Sequence, residues 1–410
     1  MKKKIPLPVL LSLSFCLSAC APAASAPQSE APARATAEAA TAQATAETAL
    51  VQGTLCNIED CENTGKALYQ WQVEAQADGT TLGNLVELDY ATARQRRVLD
   101  TGMPSYRLGS CFARGNTIYY TTFEEDGRTL HSIDRASGTE KTMPVVDGYG
   151  VGFIDDRALY LFVQRSWGYA SMQRVDLETG TAQTIPMPAQ TIRVCDGAEG
   201  RFLITRLIGE VSLSSLQDEE QRAAALQTAT AEYAWWDPDD GSVEPLFQEP
   251  YTGELSESGR PRERVYLGKE DGMFYFYRAE RTETTQENCR VERCAPDGSG
   301  AETVLAMEDG QGLPGVLRSE GEIRWLVQGS GNGVVVYQPA DGSTRHVENP
   351  SGGDTPWPLA LTDDGRLLLY NFYAAHPEDS IYCLVRQEDY LASNFTGTNV
   401  APVTKETGEV

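Results

Sequence analysis

The sequence predicts an all-β protein folded as a β-propeller, and three observations carry that expectation. From residue 51 onward, apolar residues come in short alternating runs broken by Gly, Asp and Pro, as in half-buried strands joined by tight turns. The long helices that βαβ units demand are missing. A strand, turn, strand unit then recurs along the chain at the spacing of propeller blades.

The unit reads LVELDYATARQRRVL (85–99), LHSIDRASGTEKTMPV (130–145), MQRVDLETGTAQTIPM (172–187) and YAWWDPDDGSVEPLF (233–247). Weaker copies are CRVERCAPDGSGAETVL (289–305), GVVVYQPADGSTRHV (333–347) and SIYCLVRQEDYLASN (380–394). Aligned on Asp89, Asp134, Asp176, Asp237, Cys294, Gln338 and Val385, they step by 45, 42, 61, 57, 44 and 47 residues. Another strand precedes each copy, as in ARGNTIYYTTF (113–123), DDRALYLFV (155–163) and KEDGMFYFY (269–277). With a short innermost strand, each unit counts four strands, which makes one blade. Seven units predict seven blades, with six or eight left open at this stage. Pairing strands from the two chain ends would close the ring and leave no free sheet edge. The first inner strand would come from residues 51–58 or from the stretch 394–403. A pair of β-sandwiches is the competing architecture, but it gives no reason for so regular a period.

Two blades are longer than the rest. In the fourth, residues 209–234 separate the second and third strands, and SLQDEEQRAAALQTA reads as a helix with Ser215 as N-cap and acids in its first turn. The outer connection of that blade, 248–264, is polar and rich in Pro and Gly.

Composition limits the function classes. The 410 residues carry 59 Asp and Glu against 34 Lys and Arg, a net charge of −25, which excludes a protein that grips nucleic acid by counterion release. Three histidines, His131, His346 and His376, lie far apart in sequence and give zinc sites or a histidine-based triad few parts. No cofactor is expected.

The N-terminus reads as an address. Residues 1–20, MKKKIPLPVLLSLSFCLSAC, have a basic start and an apolar run too short to span a bilayer, then small residues before Cys20. The tetrad LSAC resembles the lipobox of bacterial lipoproteins, in which the cysteine sulfur receives diacylglycerol before cleavage. That resemblance makes 1–19 a signal peptide and Cys20 the lipidated mature N-terminus, held at the cell membrane on its extracytoplasmic side. Two acyl chains, at roughly 0.8 kcal/mol per buried methylene, would make such anchoring effectively permanent. Residues 20–50 are almost all Ala, Thr, Pro, Ser, Gln and Glu and read as a disordered tether. The propeller occupies 51–403, and 404–410 are a tail.

The turns D-P-D-D-G-S, A-P-D-G-S-G and P-A-D-G-S, each between two strands, resemble those of TolB-like and related uncharacterised propeller lipoproteins. The resemblance covers most of residues 67–394 and implies extracytoplasmic protein binding or scaffolding.

No catalytic residue is assigned. The aligned Asp89, Asp134, Asp176 and Asp237 read as turn residues bonding their own backbone. Asp237-Pro238-Asp239-Asp240-Gly241 places its glycine fifth where a calcium loop needs it sixth, and no metal is expected. Phosphate-loop, G-x-S-x-G and H-E-x-x-H patterns are absent. Cys56 and Cys61 flank a polar stretch and form a possible disulfide. Cys289 and Cys294 share that spacing, but in a strand they stand about 16 Å apart, beyond bridging distance. Cys111, Cys195 and Cys383 read as buried thiols.

Propeller strands alternate in direction, so connections from second to third strands emerge at the same end as connections between blades. Both long insertions decorate that end, together with Tyr106, Tyr149, Trp167, Tyr169, Tyr251, Trp357 and His376, the candidate ligand-binding residues. Trp71, Trp235, Trp236 and Trp325 fall inside strands and are expected to pack blades. The sequence therefore suggests a lipid-anchored module that binds a protein or cell-envelope glycan at one loop-rich face. The alternative is a propeller hydrolase or lyase acting on extracellular glycan or peptide.

Overall fold

A computed structural model describes residues 54–404, apart from 56–61, 125–126, 146–148, 156, 166–167, 199, 210–215, 217, 252–263, 282–285 and 371–381. Cys20, Cys56, Cys61, Trp167, Ser215 and His376 therefore lie outside the described residues.

Seven antiparallel blades form a ring, a β-propeller. Blade 1 comprises Thr54–Leu55 and Glu62–Asn63 on the inner side of Ala67–Ala75, then Thr81–Asp89 and Arg94–Pro104. Blade 2 is Leu108–Arg114, Thr117–Glu124, Gly127–Asp134 and Glu140–Val145. Blade 3 is Tyr149–Ile154, Ala158–Arg165, Gly168–Asp176 and Ala182–Pro186. Blade 4 is Thr191–Ala198, Arg201–Ile208, Thr230–Trp236 and Val243–Pro250. Blade 5 is Val265–Glu270, Met273–Arg281, Gln286–Cys294 and Glu302–Ala306. Blade 6 is Gly315–Ser319, Glu322–Ser330, Gly333–Gln338 and Ser343–Val347, and blade 7 is Trp357–Leu361, Arg366–Tyr370, Tyr382–Arg386 and Thr398–Asn399. The repeat copies are thus the third and fourth strands of successive blades, except that RQEDYLASN of the last copy departs from the pattern. Gln387–Leu391 there form a helix anchored by buried Tyr390, which pushes the outer strand of blade 7 along to Thr398–Asn399.

The ring closes at both edges of blade 1. Of the two sources open for the inner strand, the N-terminal one supplies it, and the C-terminal stretch goes to the other edge, where Ala401–Thr404 adds in parallel to the outer strand at Arg94–Arg96. Val400 and Val403 are buried in that seam. Pro402 suits an outermost strand, where a missing N–H costs no ladder bond. Leu68, Leu88 and Tyr90 of blade 1 pack on Ala360, Leu368 and Tyr382 of blade 7.

Blades converge toward the axis, so the inner strands approach closely, and small residues make room. A side-chain carbon at Gly152 would lie 2.5 Å from the Phe112 ring of the preceding blade, and one at Gly197 would lie 2.8 Å from the Phe153 ring. Inner strands also have one unpaired edge. Carbonyls there accept from the neighbouring blade: Asn63 donates to Leu361 O (2.8 Å) and Arg114 to Ile154 O (2.9 Å).

Between blades the core is aromatic. Phe202, fully buried, meets Phe153, Tyr160, Phe162 and Trp236 at centroid distances of 5.8, 4.9, 5.1 and 6.1 Å. Trp71, Trp236 and Trp325 are buried, as their strand positions suggested, and Trp235 is half-buried with Arg201 over its ring. Cys289 and Cys294 are free thiols and pack on opposite sides of blade 5, one with Tyr275 and Val291, the other with Phe274 and Phe276. Residues five apart in a strand face opposite ways.

Candidate functional site

The two ends of the propeller are built differently. One end carries the hairpins between third and fourth strands, and six of the seven are closed by an aspartate. Asp89 accepts from Thr92 N (2.7 Å), Asp134 from Ser137 N (2.8 Å) and Asp176 from Thr179 N (2.7 Å). Asp237 accepts from Asp239 N (2.8 Å), Asp297 from Ser299 N (2.9 Å) and Asp341 from Ser343 N (2.9 Å). The hydrogen bonds they accept hold the Asp134, Asp176, Asp297 and Asp341 carboxyls below the usual range. Repetition of this aspartate is turn chemistry.

The other end, the insertion face, is irregular. Its helix spans Glu219–Thr228 and is capped by Asp218, whose carboxylate accepts from Gln221 N (3.1 Å). The cap therefore falls three residues after the expected Ser215. Leu226 is the helix residue that is fully buried, against Leu207, Ala229, Ala231 and Tyr251. Tyr251 is 3% exposed, and its N–H donates to Ala229 O (2.9 Å), so its ring anchors the insertion from below and is not presented to a ligand.

The remaining candidates divide. Tyr106 sits in a short helical turn, Ser105–Arg107, between blades 1 and 2 and is 75% exposed. Tyr169 is half-buried, its ring 6.3 Å from Phe162. Trp357 is half-buried between blades 6 and 7, where a side-chain carbon at Gly315 would lie 3.1 Å from its ring. Tyr149 opens the inner strand of blade 3. The structure thus leaves Tyr106 on the surface and turns Tyr169, Tyr251 and Trp357 toward packing.

Two residues that the sequence reading passed over join Tyr106. Ile208 ends the second strand of blade 4 and Leu313 lies between blades 5 and 6. With Tyr106 they are the exposed large apolar side chains among the described residues. All three belong to the insertion face by topology. Nothing in the sequence marks them, since an isolated Ile or Leu carries no pattern that tells surface from core.

A charged cluster lies below this face at the junction of blades 4 and 5. Glu232, buried, accepts from Arg206 Nε (2.5 Å) and Gln248 Nε2 (2.7 Å). Arg264 reaches Glu249 (3.1 Å) and Glu292 (3.3 Å), and Arg290 Nε donates to Glu292 (2.8 Å). Burial pushes the Glu249 carboxyl above its usual range, against the pull of Arg264 and Arg278.

Blade 2 holds a Thr, His and Glu array. Thr122 Oγ1 lies 2.9 Å from His131 Nε2, and His131 Nδ1 lies 2.6 Å from Glu140 Oε1. The order matches a nucleophile relay, but Thr122 is fully buried and His131 stacks on Tyr120 at 4.5 Å, so no substrate reaches the hydroxyl. The array ties three strands together. Among the described residues, no group of three or more His, Cys, Asp or Glu is placed to hold a metal ion.

No protein-family model and no curated protein matches the chain. Solved structures do. The propeller domain of the Trilobed protease from Pyrococcus furiosus superposes with a TM-score of 0.52 at 11% identity, covering 80% of this chain and 94% of that one. An acylaminoacyl peptidase in complex with Z-Gly-Gly-Phe-chloromethyl ketone gives 0.51 at 11% identity, covering 80% of this chain and 51% of that chain. An oligogalacturonate lyase in complex with manganese gives 0.47 at 15% identity, covering 82% and 84%. The chain spans about half the length of that peptidase. At these identities the first two likenesses establish a shared fold, a propeller similar to those of peptidases.

Proposed function

We propose that this chain is a lipid-anchored, extracytoplasmic binding module that engages a protein or cell-envelope glycan through its insertion face. One observation carries the reading: Tyr106, Ile208 and Leu313 are each exposed at the end that bears the insertions, while the opposite end is a set of closed aspartate turns. Exposed aromatic and aliphatic anchors within a polar rim are what recognition surfaces use. The anchor is supported by the LSAC tetrad at Cys20 and the tether that follows it.

Two experiments test this reading. The combined variant Tyr106→Ala, Ile208→Ser, Leu313→Ser in the full chain is expected to reduce capture of the envelope partner at least tenfold, whereas Thr344→Ala on the outer strand of blade 6 leaves capture unchanged. Capture that survives the triple change refutes the face. Fatty-acid labelling and membrane fractionation are expected to follow Cys20, with Cys20→Ala losing the label; a labelled Cys20→Ala chain refutes the anchor.

A second reading, a hydrolase or lyase for extracellular glycan or peptide, draws on Glu249, a carboxyl raised by burial beside the insertion face. Turnover of a polysaccharide or peptide panel that Glu249→Gln abolishes would favour it over the binding module.

A further inference from the structure

Three inner strands meet around one arginine. Arg318 lies in the inner strand of blade 6 and its side chain is exposed, although it stands on the innermost layer of the ring. Its guanidinium donates to Leu267 O of blade 5. Leu267 sits at a register shift of its strand, between Tyr266 and Gly268. A side-chain carbon on Gly268 would clash with the Arg318 Nη1 atom, and Gly268 has φ +144°, so this glycine supplies the seat.

The nearby acids are engaged elsewhere. Asp196, on the inner strand of blade 4, accepts from Gly197 N through Oδ1 (2.8 Å) and from Tyr266 OH through Oδ2 (3.0 Å). Glu270 pairs with Arg324 at 3.3 Å. An arginine has five N–H donors. Among the described residues, the Leu267 bond is the hydrogen bond Arg318 makes. Because Arg318 is exposed on the innermost strand of its blade, its remaining donors are open to solvent. Desolvation by the surrounding protein lowers the Arg318 guanidinium below its usual value, against the pull of Asp196 and Tyr266.

We infer that Arg318, seated on Gly268 and held by Leu267 O, forms an anion site in the axial channel that takes the oxyanion group of a small ligand, a carboxylate or a phosphate. A guanidinium fixed on one edge by a carbonyl keeps its other edges free for two parallel N–H bonds to such a group. The site is independent of the insertion face and belongs to three blades at once. No single repeat contains it.

The test is titration of the full chain with glucuronate and, separately, with inorganic phosphate. One anion per chain is expected to bind. Binding is expected to weaken at least tenfold in Arg318→Gln and to return in part in Arg318→Lys, which keeps the charge but not the fork. Preference for glucuronate assigns a sugar or peptide carboxylate, and preference for phosphate assigns a phosphate ester. If neither anion binds, or if Arg318→Gln binds both as the unaltered chain does, the inference is overturned. Should Arg318→Gln fail to fold, phenylglyoxal labelling of the unaltered chain decides. Saturating anion is expected to protect Arg318 but not the outward Arg345 of blade 6, and equal labelling of Arg318 with and without anion overturns the site.

Discussion

Phe202→Ala is expected to destabilise the propeller by about 3–5 kcal/mol, read from urea unfolding of the full chain. Phe202 has no exposed surface and four aromatic neighbours, contributed by blades 3 and 4. Removing it leaves a cavity between two sheets that cannot collapse, because each sheet is held in place by its own ladder and by the ring. Phe202→Leu restores part of the volume and should recover more than half of the loss. If Phe202→Ala costs less than about 1 kcal/mol, blades 3 and 4 do not pack as described.

Glu87→Gln is expected to destabilise by about 3 kcal/mol, the lower end for breaking a buried ion pair, because Arg96 on one side is 48% exposed. Glu87, 6% exposed, accepts from Tyr69 OH (2.6 Å), from Arg96 and from Arg135 (2.7 Å), and Arg135 also donates to Tyr69 OH (2.8 Å). The network joins blade 1 to blade 2. Burial alone would raise the Glu87 carboxyl, but the bonds from Tyr69 and Arg96 and the charge of Arg135 outweigh it and lower it below 4.5. A depressed carboxyl stabilises the folded state fully above its unfolded value, and the contribution fades as pH falls through the folded value. The stability gap between the unaltered chain and Glu87→Gln should therefore be constant from pH 7 to about 5 and narrow below 4.5. A gap that widens on acidification would show that Glu87 is not held in its charged form.

Much of this architecture was legible in one dimension. Strand alternation and aspartate turns are local: Asp134 closes its hairpin with Ser137, three residues away, and any chain with that spacing can do the same. The sites were less legible. Tyr251 looked like a presented aromatic because its flanking loop is polar, yet the preceding insertion folds over it and fills the space with Leu226. His131 looked isolated because Thr122 and Glu140 are each nine residues away and reach it only across strands. Ile208 and Leu313 were not legible as surface residues, because exposure is decided by what packs over a strand end or a connection.

The sequence by itself determined the blade, its count of strands, its turns and the period that repeats it, because each depends on contacts within about fifty residues. Only the tertiary structure decided what happens where blades meet. It chose the N-terminal strand for the inside of blade 1 and the C-terminal strand for the outside. It set Phe153 on Gly197 and Arg318 on Gly268, and left Tyr106 on the surface while Tyr169 and Trp357 turned inward. The reason is geometric. A ring brings together inner strands from separate repeats, and the fit of a large side chain on a bare backbone depends on the angle between two sheets, which no single repeat encodes.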